Sequence, residues 1–151
     1  MKPKRKPIEV KYQTLVILWL SLLLSQVIFL ILIYFSKPEI YQLDAARPLL
    51  GENPLIVVAF AVMAILLVIL SFVFRNQYLA RSVADHDATC VQTGLVLGSA
   101  LCEGSTILGV ILAFAFDYQY FFLWIALGLL GILLHFPRKG TLDATNTEGR
   151  T

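Results

Sequence analysis

The chain carries little charge: only 15% of its 151 residues are Asp, Glu, Lys or Arg, against about a quarter in an ordinary soluble domain. It has two cysteines, Cys90 and Cys102, and no CxxC spacing, which excludes a disulfide scaffold and a thiolate zinc site. Its two histidines, His86 and His135, form no HExxH-type pair, and no glycine-rich phosphate loop is present. No segment alternates polar and apolar residues as a membrane barrel strand does. These shortages exclude a soluble enzyme and a nucleic-acid-binding domain. No cofactor, resident metal or nucleic-acid partner is expected.

What the chain has is apolar length. Hydrophobic residues make up 58% of it, mean hydropathy is +0.78, and they gather into four runs at residues 14–35, 54–74, 91–116 and 118–136. Together these 88 residues contain one of the 22 charged side chains. A bilayer core takes about 20 apolar residues per helix, and lipid requires each span to satisfy its own backbone hydrogen bonds. The expected fold is therefore all-α, a polytopic integral membrane protein with four transmembrane helices in a domain covering residues 14–136. The bilayer is its first partner, and the bacterial inner membrane is the expected location.

Basic residues orient the spans. The arm at 1–13 holds Lys2, Lys4, Arg5, Lys6 and Lys11; the loop at 75–90 holds Arg75 and Arg81; the tail at 137–151 holds Arg138, Lys139 and Arg150. Only Lys37 and Arg47 fall on the other side, so the positive-inside rule predicts that both termini face the cytoplasm. A secretory signal is the competing assignment for the first run. That run is too long and ends in Tyr34-Phe35-Ser36-Lys37, a poor cleavage site, so a retained helix is expected. Asn53-Pro54 has the form of a helix start, and Asp117 marks a tight turn that would make helices three and four an antiparallel hairpin. Tyr34, Tyr41, Tyr118 and Tyr120 would form an outer aromatic belt, with Tyr12 and Tyr78 at the inner interface. His135, beside Arg138 and Lys139, would anchor the inner end of helix four.

Glu103 is the charged residue within the runs, near the middle of the third. A charge at that depth costs roughly 2.5–3.5 kcal/mol on insertion scales. A carboxyl avoids most of this by keeping its proton, which it can then exchange when water or a base reaches it. On a helical wheel Gly94, Gly98, Cys102, Ser105 and Gly109 share an arc of about 80°, a stripe suited to close helix packing. Glu103 points about 140° from the centre of that arc. Ser99 and Thr106, one turn to either side, are the hydroxyls expected to orient it as an ion-binding group. The plainer reading makes Glu103 a structural hydrogen-bonding residue, satisfied by a neighbour such as Gln26. Gln26, Ser21 and Ser25 of helix one would in any case act as interhelical glue.

The run from Val91 to Phe114 resembles the carboxylate-bearing helix of the proteolipid, or subunit c, family of rotary ATP synthases and ATPases. The likeness lies in Gln92-Thr93, Gly98, Ala100-Leu101, Glu103 and Ile107-Leu108-Gly109-Val110. Ala80-Arg81-Ser82 also stands near where that family carries Ala-Arg-Gln in its cytoplasmic loop. The resemblance implies that Glu103 binds and releases a translocated proton or other ion. Helix two departs from the family, offering Ala59, Ala61 and Ala64 where glycines are usual.

The other candidates are weaker. Asp85-His86-Asp87 with Cys90 contains metal-competent side chains at no recognised spacing, and reads as a solvated loop. Cys90 reads as a reduced thiol and Cys102 as a small packing residue. No nucleophile has a base beside it, so enzyme activity is not expected. Two functions remain open: proteolipid-like ion binding or translocation through Glu103, or an accessory or assembly role in which Glu103 is structural. Both call for a membrane-protein partner or a second copy.

Overall fold

The computed structural model describes residues 12–42, 44, 46–85, 88–138 and 140. The basic arm, most of the polar tail, His86 and Asp87 lie outside the described residues. All regular structure among the described residues is helical: α1 (Tyr12–Ser36), a short 3-10 turn (Pro38–Tyr41), α2 (Pro54–Asp85), α3 (Ala88–Phe116) and α4 (Phe122–Leu134).

The first three helices contain 25, 32 and 29 residues. At 1.5 Å per residue they reach about 38–48 Å, beyond the roughly 30 Å of a bilayer's apolar core. Each is long and apolar enough to cross a membrane. Two expectations need correction. The polar stretch after residue 74 is not a loop. It contains no proline or glycine, and α2, once formed, continues through it to Asp85 because propagation adds a hydrogen bond for each residue fixed.

The fourth run is also less helical than predicted. α4 has 13 residues, about 20 Å of helix. Its first residues are taken up by a turn. Asp117 has φ +48°, the left-handed conformation that closes many helices, and the Tyr118 N–H reaches back 3.2 Å to the Leu112 carbonyl. Gln119 grips Asp44 of the loop after α1, accepting from its N–H at 3.2 Å and donating to its carbonyl at 2.9 Å. Tyr118 is buried rather than at the interface, and donates to the Leu49 carbonyl at 2.7 Å.

The chain still runs the length of α1 after that turn. Lys37, just past the end of α1, pairs with Asp117. At the opposite end Tyr12 donates to the Pro137 carbonyl at 3.3 Å, and Arg75 Nη1 to the Leu134 carbonyl at 3.2 Å. Tyr118 to Pro137 therefore connects the end of the bundle where α1 finishes to the end where it starts.

α3 occupies the centre and contacts all three other helices, α2 most extensively. Half of its membrane-length window is buried (50%), compared with 11% for α1 and 17% for α2. Lipid gives apolar faces no reason to seek each other, so close backbone approach and polar pairing decide which helix goes inside. α3 supplies both. A Cβ at Gly98 would lie 2.7 Å from the His135 ring, and one at Gly109 would lie 2.8 Å from Trp124 Cβ.

α4 answers with its own glycines. A Cβ at Gly128 would strike Thr106 Oγ1 and sit 2.7 Å from the Cys102 carbonyl oxygen, a backbone atom that cannot swing aside. At Gly104 the corresponding neighbour is the flexible tip of Leu67, at 3.1 Å. Gly128→Ala is accordingly expected to destabilise the bundle by about 1–3 kcal/mol, and Gly104→Ala by much less. Unfolding in detergent followed by tryptophan fluorescence would test the difference; equal losses would contradict this packing.

Candidate functional site

Glu103 stands near the middle of α3, at its seam with α1, and is partly buried. Its polar partner comes from α1: Ser25 Oγ lies 2.6 Å from Glu103 Oε1. The same Oγ is 2.7 Å from the Leu22 carbonyl oxygen of its own helix. A hydroxyl has one hydrogen and cannot make a full hydrogen bond to both acceptors. If Ser25 donates to a carboxylate, its contact with Leu22 is idle. If it donates to Leu22, the carboxyl must bring the proton to Ser25. Only a protonated Glu103 makes both contacts hydrogen bonds at once.

The hydroxyls named from the wheel have other surroundings. Thr106 is fully buried and donates to Gln26 Oε1, not to Glu103. Ser99 is also fully buried, and its Oγ has no hydrogen-bond partner. Gln26 is 1% exposed; it meets Thr106 while its Nε2 has no partner. Helix one thus contributes two adjacent residues to two different positions on α3: Ser25 to Glu103, and Gln26 to Thr106. The signal for this pairing was their common depth, since Ser25-Gln26 and Glu103–Thr106 both fall near the middle of their helices.

The small residues face the other way. Gly94 lies against Tyr78 of α2, and Gly98 against His135 and the Ser71 carbonyl. Cys102 is fully buried, with its Sγ 3.2 Å from Ser71 Oγ, whose own hydrogen goes to the Val68 carbonyl at 2.6 Å. Ser105 donates to the Trp124 carbonyl at 3.2 Å, and Gly109 lies beneath Trp124. This face is close-packed against α2 and α4, while Glu103 sits on the α1 side.

His135 is a correction. It does not anchor to the interface; it is fully buried, with its Nδ1 2.7 Å from the Gly131 carbonyl and its ring 4.7 Å from that of Phe72. Its Nε2 has no partner. Gly98 makes the room it occupies, a complementarity invisible along either helix alone. The cavity of about 550 Å³ at the other end of the bundle is lined by Glu39, Arg47, Glu52 and Tyr120, and Glu103 is not part of it.

No group of three or more His, Cys, Asp or Glu capable of holding a metal occurs among the described residues. What the centre offers chemically is one carboxyl with one hydroxyl beside it. No family model matches this sequence, and no curated protein or solved structure matches it either.

The Gln26–Thr106 contact lends itself to a double-mutant cycle. Thr106→Val, which leaves the Gln26 amide without its partner, is expected to cost about 0.6–1.7 kcal/mol. Gln26→Leu with Thr106→Val should cost less than the two single changes added together. Strict additivity in thermal or denaturant unfolding would show that the pair does not couple α1 to α3.

Proposed function

We propose that this protein is a four-span integral membrane protein with both termini in the cytoplasm, and that Glu103 binds and releases a proton midway across the bilayer. The orientation follows from ten basic residues on the cytoplasmic side against two outside. A fourth crossing is supported by the contacts of Tyr12 with Pro137 and of Arg75 with Leu134, which join the end of α4 to the start of α1 and the polar part of α2.

The observation that carries the functional reading is the contact between Ser25 and Glu103. An intramembrane carboxyl with a single hydroxyl partner, whose hydrogen is already matched to the Leu22 carbonyl, is suited to hold a proton. It is poorly suited to a hard metal cation, which takes six or more oxygens. The similarity of α3 to the proteolipid carboxylate helix points the same way. α3 carries no second charged group, and α1 and α4 carry none. Water or a cation must therefore come from a membrane-protein partner or another copy of the chain.

The same contact also favours a second reading: a non-transporting accessory or assembly protein in which Glu103 ties α3 to α1. Carbodiimide separates the two, because it attacks protonated carboxyls in apolar surroundings. For a proton-exchanging site, Glu103 is labelled selectively, labelling falls as pH rises, and Glu103→Gln abolishes it while the protein still folds. Ser25→Ala should raise the labelling rate by removing the group that shields the carboxyl. Failure to label at any pH, with Glu103→Gln merely lowering the unfolding temperature, would establish the structural role instead.

A further inference from the structure

The polar end of the bundle opposite Lys37–Asp117 contains a cleft on which all four helices or their flanks converge. Arg75 and Leu79 of α2 line it with Leu15 of α1, Leu95 of α3, and Pro137 and Arg138 after α4. The cleft is open to solvent, and its volume of about 20 Å³ is enough for one oxygen-sized group with the rest of a ligand outside. Two guanidinium groups therefore share one cleft, and like charges in a partly apolar setting repel.

Nothing on the described chain neutralises them. The one ion pair among the described residues is Lys37–Asp117, at the far end. Arg75 spends one donor on the Leu134 carbonyl at 3.2 Å, a bond that also fixes its direction. A guanidinium has five N–H donors, so most of those on Arg75 remain available. Arg138 has no hydrogen bond to a described residue that would tie it elsewhere, and it is exposed. The rest of the wall is apolar and mostly leucine: Leu15, Leu79 and Leu95, with Val91 and Pro137.

We propose that Arg75 and Arg138 clamp a phosphate group, and that its source is the headgroup of an anionic phospholipid. Guanidinium geometry matches phosphate oxygens through paired N–H bonds. The level is right for a headgroup, since Arg75 is the first charged residue after the apolar stretch of α2. The leucine wall suits the upper part of an acyl chain and has no use for a free anion. Basic pockets between spanning helices are where such headgroups bind. The site depends on α2 crossing the membrane and not on any proton exchange at Glu103.

The test uses the full chain in mild detergent, with native mass spectrometry and unfolding temperature as readouts. The probes are phosphatidylglycerol, phosphatidylcholine and inorganic phosphate. The expected result is retention of one phosphatidylglycerol in preference to phosphatidylcholine, with a raised unfolding temperature. Arg138→Gln should weaken retention about fivefold, the share of one basic residue near an anionic surface. That variant disturbs no hydrogen bond to a described residue, so it should fold. Arg75→Lys, which keeps the charge but loses the fork, should also weaken retention, while Arg81→Gln, a control of equal charge, should not. Equal retention by wild type and Arg138→Gln, or an equal loss in Arg81→Gln, would overturn the site. Competition by inorganic phosphate as effective as that by the lipid would overturn the lipid assignment and leave a free-anion site.

Discussion

Within a bilayer there is no water to push apolar faces together, so a bundle holds where backbones can touch and polar groups can pair. That constraint places α3. α1 and α2 are rich in leucine, isoleucine and valine around their circumference, and lipid accepts such surfaces without penalty. Over its membrane-length stretch α3 is the least apolar of the three long helices, and it is the one most enclosed. Its glycines admit Tyr78, His135 and Trp124, while Cys102, Ser105 and Thr106 each find a hydroxyl or carbonyl oxygen on a neighbouring helix. The inversion relative to a soluble protein, with the more polar helix inside, is the ordinary consequence of a solvent that cannot hydrogen-bond.

The two sides of α3 are held differently. Toward α2 and α4 the contact is steric: neighbouring backbone and side-chain atoms fill the space that side chains at Gly98, Gly109, Gly128 or Gly131 would need. Toward α1 the contact relies more on polar links. Ser25 meets Glu103, and Gln26 meets Thr106. Steric interlocking does not respond to protonation. A seam joined by a carboxyl and a hydroxyl does.

Much of this architecture could be read from the residues, and the gaps have physical causes. Hydropathy located the three long helices because a lipid-exposed surface must be apolar over its whole length. The wheel grouped the small residues of α3 because close approach needs several of them on one arc. The fate of residues 75–85 was less visible: charge suggested a loop, but charge does not stop a helix when no proline or glycine intervenes. α4 was overestimated because Tyr118 and Gln119 look apolar or neutral in a window average, while their partners, Leu49 and Asp44, lie some seventy residues earlier. The wheel also grouped Ser99 and Thr106 with Glu103 on one arc. It could not show that Gln26 would engage Thr106, because the position of α1 is a tertiary fact.

That position gives the carboxyl its significance. Were Glu103 within the glycine face, a change in its charge would fall among the close steric contacts of α3 with α2 and α4. On the α1 side it borders the least enclosed of the three long helices. When the carboxyl holds its proton, Ser25 can satisfy both Glu103 and Leu22; when the proton leaves, the single hydroxyl hydrogen must serve one of two acceptors, and the other is left in an apolar medium. Loss of charge neutrality and loss of a hydrogen bond thus fall together on the α1–α3 seam. Water or a basic group at that seam would relieve both deficits at the same place, so the charge state of Glu103 and the α1–α3 contact are linked through one serine's hydrogen.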